Sequence, residues 1–296
     1  IPKRDWSSDV CSSDLFAETG QEAALSAVSI GKYHRMISSM LETARQWQMI
    51  EDNPAKRCRP PKPEQQEPSY LQDEEALALL TMLEAAPLKW QTLFTLLLFS
   101  GARRGEVCAL RWRDLDMDNQ TVDINKSSQV ITGLGLIVKA PKNSTSARVI
   151  KLPEHVFALL KEYRRWQLAE RLRLGDRWPQ KIHIHNAKGE ALTLENDMLF
   201  TTIAGQPINP DSVTSWLADF CRKNGLPAIH PHSLRHSNAS LLIASGTDIR
   251  TVSNRLGHAD ANTTLRIYSH MVASADAKAA DALENALLPQ TKAGQQ

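Results

Sequence analysis

The chain has 296 residues, of which 42% are hydrophobic, and its formal net charge is +2. This length and composition predict a well-buried core divided between two domains. The near-neutral charge excludes a uniformly basic surface, so any nucleic-acid-binding surface must be local. No run of 18 apolar residues exists, which excludes a membrane-spanning helix. The four cysteines form no CxxC pair, which argues against a zinc ribbon or disulfide scaffold and favours a reducing cytoplasm.

Residues 1–15 show neither a helical nor a strand period. Within them the triplet at 7–9, Ser-Ser-Asp, recurs at 12–14, and the whole stretch resembles translated sequencing-adapter reads found at the ends of some gene models. We therefore expect a non-native segment in place of the true N-terminus, the alternative being a disordered natural tail.

A long amphipathic helix is predicted over residues 26–49, because apolar residues recur there at helical spacing, and Asn53-Pro54 ends it. Residues 55–68 are rich in proline and carry a cluster of cations. That composition is typical of an extended linker suited to a phosphate backbone, and equally of a solvated basic spacer. The four cations are Lys56, Arg57, Arg59 and Lys62.

A second domain is predicted from about residue 69. Apolar spacing and capping residues predict helices that begin near Asp73 and Pro210 and helices at 90–99, 159–173, 233–245 and 248–256. Segments rich in β-branched residues at 121–124, 129–138 and 148–152 predict strands. The expected fold class is therefore mainly α with a small antiparallel β-sheet, that is, α+β.

Four short segments carry residue types suited to chemistry on a phosphate, and the first is SGARRGE at residues 100–106. It places Arg103 and Arg104 beside Glu106 in a turn after an apolar helix. A rigid guanidinium fork at such a turn suits the non-bridging oxygens of a phosphate. For this segment alone, a surface Arg–Glu pair is the simpler interpretation. The second segment, KAPK at 139–142, lies at the predicted hairpin, where a lysine is a mobile donor.

The third segment, HPHSLRH at 230–236, has an informative spacing. His232 and Arg235 are three residues apart at the predicted start of a helix, so both side chains lie on one face, where the helix N-terminus adds positive potential. The fourth segment is LGH at 256–258, followed ten residues later by Tyr268 within IYSH.

Metal sites offer alternative interpretations of these residues. No HExxH motif or Cys/His spacing accompanies the histidines, and the neighbouring arginines would repel a cation, so zinc is disfavoured. His183 and His185, in a strand-like IHIH, are interpreted as structural. A metal-dependent transposase needs three clustered acids, and the only grouped candidates alternate in one turn. These are Asp114, Asp116 and Asp118.

In this order the four segments resemble those of the tyrosine recombinase family, specifically the phage and conjugative-element integrases, over roughly residues 28–288. The resemblance implies a site-specific DNA recombinase or integrase from a prophage or integrative mobile element, which cleaves and rejoins DNA through a 3′-phosphotyrosine without metal or cofactor. It also implies the domain order: part of a helical core DNA-binding domain at 16–54, the linker at 55–68, the catalytic domain at 69–272 and a tail helix at 273–296.

The resemblance assigns roles to individual residues. Glu106 buttresses the first arginine, His236 supports the site, and Arg104 and the four linker cations contact DNA. Lys139 is the alternative to Lys142, because hairpin length varies in the family. The implied catalytic residues are Arg103, Lys142, His232, Arg235, His258 and the nucleophile Tyr268.

The implied partners are double-stranded DNA attachment sites and three further copies of the chain, in a homo-tetramer joined by exchange of C-terminal tails. The tail carries apolar residues at helical spacing, at 279, 283, 286 and 287, although such a helix also suits packing on its own domain. The expected location is the bacterial cytoplasm, on the nucleoid when bound to DNA. The alternatives are a type IB topoisomerase and a DNA-binding module without catalysis, such as a decayed integrase or a directionality factor.

Overall fold

The computed structural model of the protein describes residues 25–62, 71–140, 146–258 and 264–265. The chain divides into two compact units, residues 1–67 and 68–296. The expected N-terminal tail at 1–15, residues 63–68 of the expected linker and the expected tail helix at 273–296 lie outside the described residues.

The first unit contains helix α1 (Ala27–Gln46), which begins at the N-cap Ser26. A short 3-10 helix, Pro54–Arg57, follows it. The Asn53 side chain accepts a hydrogen bond from the Ala55 amide and donates one to the Ser38 carbonyl of α1 at 2.9 Å. Because these bonds fold the chain back onto α1, the first residues of the predicted linker are helical, and extended backbone begins at Cys58.

The second unit is mainly helical, and its core surrounds the apolar helix α3, which packs on α5 and α7. Large side chains of α3, including Leu93, Phe94 and Leu97, are fully buried. An almost uniformly apolar helix is stable only when other elements cover it on every side. The helices are α2 (Asp73–Leu83), α3 (Leu88–Ser100), α4 (Arg104–Cys108), α5 (Glu154–Leu174), α6 (Pro210–Lys223), α7 (Pro231–Ala244) and α8 (Ile249–Leu256).

The described strands form two sheets, where the sequence predicted one small antiparallel sheet. The first sheet is antiparallel, with the order β1 (Leu115–Asp116), β2 (Thr121–Ile124) and β5 (Arg148–Lys151). The second has the order β3 (Ser127–Ile131), β4 (Gly135–Lys139), β6 (Lys181–His185) and β7 (Ala191–Glu195).

The segment predicted as one strand at 129–138 is a hairpin, because the chain reverses at Gly133, whose φ is +85°. Strand β6 joins the second sheet by parallel pairing with β4, where Ile137 lies opposite His185. Strand propensity depends on β-branched residues but does not specify pairing partners, so the sequence did not reveal this parallel pair.

The turn between α3 and α4 depends on Gly101, which ends α3 in the left-handed conformation with a φ of +62°. A Cβ atom at this position would lie 2.6 Å from Asn238 Oδ1 of α7 and 2.9 Å from Leu256 Cδ2 of α8. Asn238 Nδ2 also donates a hydrogen bond to the Leu98 carbonyl at 2.8 Å. Close packing of α7 and α8 on this turn therefore fixes the start of the SGARRGE segment.

Replacing this glycine should destabilise the fold more than replacing a glycine of the same conformation in open space. Gly246 also follows a helix, with a φ of +88°, and a Cβ atom there would have no neighbouring atom within 4 Å. Gly246→Ala should lose about 1–2 kcal/mol of unfolding free energy from backbone strain alone. Gly101→Ala should lose roughly a further 1–3 kcal/mol from overpacking. Urea denaturation of both variants measures the difference, and equal losses would contradict the packing argument.

Candidate active site

The first candidate arginine is held by a buried carboxylate. Arg103 precedes α4, and Glu106 lies one turn into that helix. Glu106 Oε2 accepts a hydrogen bond from the Arg103 amide at 2.8 Å, and Oε1 accepts one from Arg103 Nη1 at 2.9 Å. The Glu106 side chain is 7% exposed, whereas the Arg103 side chain is 42% exposed. The guanidinium is thus fixed from behind while much of it remains open to a ligand.

Sequence reasoning missed a second arginine on the same carboxylate. Arg148, at the start of β5, donates from Nη2 to Glu106 Oε2 at 2.9 Å, and its side chain is 7% exposed. Burial by itself raises the pKa of Glu106, but the hydrogen bond and charge of Arg148, together with those of Arg103, lower it overall. One consideration could have pointed to a second arginine: a glutamate that binds one arginine inside a protein core needs further positive charge to compensate its burial.

The second candidate arginine is fixed by the turn after α3. Arg235 lies on α7, is 2% exposed, and donates from Nη1 to the Gly101 carbonyl at 2.8 Å. This bond brings the HSLRH and SGARRGE segments together, although 134 residues separate the two partners in sequence.

Two histidines of α7 lie side by side, as their spacing of one turn predicts. The rings of His232 and His236 are 4.8 Å apart between centroids and nearly perpendicular. Burial, followed by the charges of Arg235 and Arg103, lowers the pKa of His232. Burial, followed by His232 and Arg235, lowers the pKa of His236 to about 4. Both rings are therefore mainly neutral at neutral pH.

His258 joins the same cluster from the end of α8. It follows Gly257, and its Nδ1 forms a 2.8 Å hydrogen bond with Thr264 Oγ1. Burial lowers the pKa of His258 to about 4, assisted first by the charge of Arg235 and then by that of Arg103. The described residues of the cluster thus place positive charge on arginines and present histidines as neutral groups.

The structure brings together most of the residues that the sequence singled out. Arg103 and His232 line one cleft of about 410 Å³, which Arg104 also lines. Two of the residues assigned to catalysis, Lys142 and Tyr268, lie outside the described residues. The described residues assigned to the site and found within its hydrogen-bonded or electrostatic network are Arg103, Glu106, His232, Arg235, His236 and His258.

Lys139, the alternative lysine, ends β4 and donates from Nζ to Gln129 Oε1 on β3 at 2.7 Å. Arg104 contacts the N-terminal part of α6, where its guanidinium donates to the Thr214 hydroxyl and pairs with Asp211 at 3.2 Å. Both side chains are therefore engaged by neighbouring elements in this conformation of the protein.

The linker cations lie in the first unit. Lys56 forms an ion pair with Glu42 at 2.9 Å, and Arg57 forms one with Asp52 at 2.6 Å. Arg59 and Lys62 are exposed.

Within the described parts of the chain, no group of three His, Cys, Asp or Glu side chains is arranged to hold a metal ion. The aspartates of the turn at 114–118 have structural partners instead. Asp114 accepts hydrogen bonds from Lys126 Nζ at 2.8 and 3.0 Å, and Asp116 Oδ1 accepts one from the Asp118 amide at 3.0 Å. His183 forms a cross-strand hydrogen bond with Thr193 at 3.0 Å.

Of the helices that the structure describes, none combines the length and apolar character needed to cross a membrane.

Comparison with known proteins places the chain in a family. The model of the phage integrase family matches residues 69–274. The chain therefore belongs to the phage integrase family of tyrosine recombinases, and the resemblance of its four sequence segments to that family is confirmed.

The relatives are integrases and tyrosine recombinases. The chain is 26% identical to the ICEBs1 integrase of Bacillus subtilis (strain 168) over 266 residues, covering 90% of this chain and 68% of the relative. It is 33% identical to the tyrosine recombinase XerC of Xanthomonas campestris pv. campestris (strain B100), covering 75% of this chain and 57% of the relative. The chain thus spans about half to two thirds of the length of such relatives.

Solved structures share the fold. The Tn1549 transposon integrase, in complex with transposon right end DNA, superposes with a TM-score of 0.71 at 20% sequence identity, covering 93% of this chain and 82% of that chain. XerA recombinase superposes with a TM-score of 0.53, also at 20% identity, covering 94% and 89%. The expected tyrosine-recombinase catalytic fold is confirmed.

The lowered histidine pKa values make the stability of the protein depend on pH. In the unfolded chain the histidines return to the ordinary value of 6.5, whereas in the folded protein the pKa of His258 is about 4. The unfolded state therefore binds more protons between these limits, and the unfolding free energy falls as the pH is lowered from 6.5 towards 4. Between pH 6.5 and 4 the unfolding free energy of His258→Asn should fall by roughly 1–2 kcal/mol less than that of the wild type, after allowance for solvent screening. Urea denaturation at both limits measures this, and equal losses would contradict the assignment.

Proposed function

We propose that the protein is a site-specific DNA recombinase that cleaves and rejoins DNA through a covalent 3′-phosphotyrosine on Tyr268. The observation that carries this proposal is the electrostatic cluster of Arg103, Arg235 and His258, in a chain of the phage integrase family. Arg103 also lines a cleft together with His232. Arginines fixed by buried partners are suited to a phosphate, because their donors are already oriented when the ligand arrives.

In the proposed reaction the Tyr268 oxygen attacks the scissile phosphorus, and the bond from phosphorus to the 5′-oxygen breaks. Arg103 and Arg235 hold the two non-bridging oxygens and stabilise the charge of the pentavalent transition state. The departing 5′-oxygen takes a proton from Lys142. The free 5′-hydroxyl of a partner strand then attacks the phosphotyrosine, which restores a phosphodiester and the tyrosine, so that no external energy source is required.

The histidines contribute as neutral groups. Because the Thr264 hydroxyl occupies Nδ1 of His258, Nε2 is the ring nitrogen through which His258 contacts the phosphate. A neutral ring in the proposed site can donate one hydrogen bond or accept the tyrosine proton, whereas a charged ring can only donate. His232 acts in the same way, and His236 packs against it.

The proposed partners are double-stranded attachment sites and other copies of the chain. Likeness to the ICEBs1 integrase and to the Tn1549 integrase supports an origin in a prophage or integrative mobile element. The proposed assembly is a homo-tetramer on DNA, held by exchange of the tails at 273–288, in a bacterial cytoplasm. Arg104 reaches DNA by giving up Asp211, while the linker cations lie along the backbone.

The nucleophile is tested with Tyr268→Phe on nicked, labelled attachment-site DNA. The substitution removes only the phenol oxygen, whereas phosphate affinity resides in the arginines. We expect loss of the SDS-resistant protein–DNA adduct, with DNA affinity in a gel-shift assay nearly unchanged. An adduct that persists in this variant would place the nucleophile elsewhere.

Controls on the same substrate separate the alternatives. Adduct formation by the wild type should be unchanged by EDTA. If EDTA abolishes the adduct and added Mg²⁺ restores it, the metal-dependent transposase is favoured. Relaxation of supercoiled plasmid without an attachment site would favour the topoisomerase. A wild type that binds attachment-site DNA but forms no adduct would favour the non-catalytic module.

The general acid is tested with a scissile phosphate whose bridging 5′-oxygen is replaced by sulfur. A thiolate leaves without protonation, so this substrate should restore cleavage by Lys142→Ala. Arg103→Ala should not be restored, because its role is charge stabilisation on the non-bridging oxygens. If the sulfur substrate restores cleavage by Lys139→Ala, and Lys142→Ala cleaves both substrates equally, the general acid is Lys139. If the sulfur substrate restores cleavage by neither variant, a histidine is favoured as the general acid.

A further inference from the structure

We propose that Arg148 is a positioning residue for recombination: it holds Arg103 and His258 in one geometry by joining Glu106 to the end of α8. The proposal rests on the proposed function, because it concerns the same phosphate site. It assigns a role to Arg148, for which the sequence predicted none.

The link to Arg103 passes through both oxygens of Glu106. Oε2 accepts hydrogen bonds from Arg148 Nη2 and from the Arg103 amide, and Oε1 accepts from Arg103 Nη1 at 2.9 Å and from Arg148 Nη1 at 3.4 Å. A carboxylate held on two sides has one orientation, and so has the guanidinium that it supports.

The link to His258 passes through the last turn of α8. Arg148 Nε donates to the Arg255 carbonyl at 2.7 Å, where the negative end of the helix dipole favours a cation. Gly257 packs against the guanidinium so closely that a Cβ atom there would lie 2.8 Å from Arg148 Nη1. His258 is the next residue, so the position of its backbone depends on this packing.

These contacts close a ring around the site. Arg255 Nη2 donates to the Phe99 carbonyl at 2.9 Å, which ties α8 to the end of α3 and so to the turn that leads to Arg103. Because the Arg255 link remains when Arg148 is removed, we expect a loosened site in a chain that still folds.

Lysine can replace Arg148 only in part. The guanidinium meets acceptors on three sides: the Glu106 carboxylate, the Arg255 carbonyl and the Ser146 carbonyl, the last at 3.0 Å from Nη1. A planar fork with five donors satisfies acceptors in several directions at once, whereas an ammonium on a flexible stem is a point charge.

The electrostatic effect of Arg148 supports the same role. Burial alone raises the pKa of Glu106, and the lowering by Arg148 offsets it. Without Arg148 the pKa of Glu106 should rise, and a protonated Glu106 holds Arg103 more weakly. The acid limb of the cleavage-rate profile should therefore move to higher pH in Arg148→Met.

The experiment compares Arg148→Met and Arg148→Lys with the wild type in single-turnover cleavage of attachment-site DNA. Misplacement of reacting groups without loss of binding costs roughly tenfold to a hundredfold in rate. We expect a loss of that size in Arg148→Met, a smaller loss in Arg148→Lys, and gel-shift affinity that is nearly unchanged. Arg173→Met is the matched control, because Arg173 forms an exposed ion pair with Glu170 on α5. The control should cleave like the wild type.

A double-mutant cycle with Glu106→Gln distinguishes positioning from a general structural role. If Arg148 acts through Glu106, the double variant should be much faster than the product of the two single losses predicts. Two results together would overturn the proposal: a double variant whose rate loss equals the product of the two single losses, and a cleavage pH profile of Arg148→Met that matches the wild type. If thermal melting shows that Arg148→Met is unfolded, the same cycle with Arg148→Lys replaces it.

The outcomes also separate this proposal from the proposed function. A wild type that forms no adduct contradicts the proposed function itself. A wild type that forms the adduct, with both Arg148 variants cleaving as fast as Arg173→Met, contradicts the positioning role alone.

Discussion

The candidate site is organised around one buried carboxylate with two arginines bound to it. Glu106 is almost inaccessible to solvent, and such a group keeps its charge inside a protein only when cations and hydrogen-bond donors compensate its burial. Arg103 and Arg148 supply them. Because Arg103 is more exposed than Arg148, the same interaction that stabilises the buried charge also presents one cation to a ligand.

The packing of the second unit fixes the position of this ion cluster relative to α7 and α8. The turn at Gly101 is the meeting point, because its carbonyl accepts from Arg235 and its missing Cβ leaves room for Asn238 and Leu256. Packing on the apolar helix α3 therefore has a direct consequence for chemistry. Residues that are far apart in sequence reach one cleft because both sides of that turn are buried.

The described site carries its positive charge on arginines and holds its histidines neutral. Arginines carry the charge at all physiological pH values, and their fields, added to burial, keep His236 and His258 neutral. A neutral imidazole can exchange protons at neutral pH, which an arginine cannot do. In the proposed reaction, phosphate recognition and proton movement therefore belong to different side chains of one cluster.

The sequence by itself located most of the described helices to within a few residues, because apolar spacing and capping residues act locally. It did not reveal α4, which lies in a segment that was expected to be a turn. Asn209 caps α6 with Pro210 in the first turn, as predicted, and the helices expected to begin near residues 26 and 248 begin after the N-caps Ser26 and Asp248. The sequence also singled out Arg103, Glu106, His232, Arg235 and His258, since each stands in a short segment typical of the family. Only the tertiary structure decided that the strands form two sheets with one parallel pair, because pairing partners are chosen by burial and not by local propensity. Only the tertiary structure placed Arg148 on Glu106, because partners 42 positions apart in the chain carry no local signal of that contact. The need to compensate a buried charge arises only once the chain is folded.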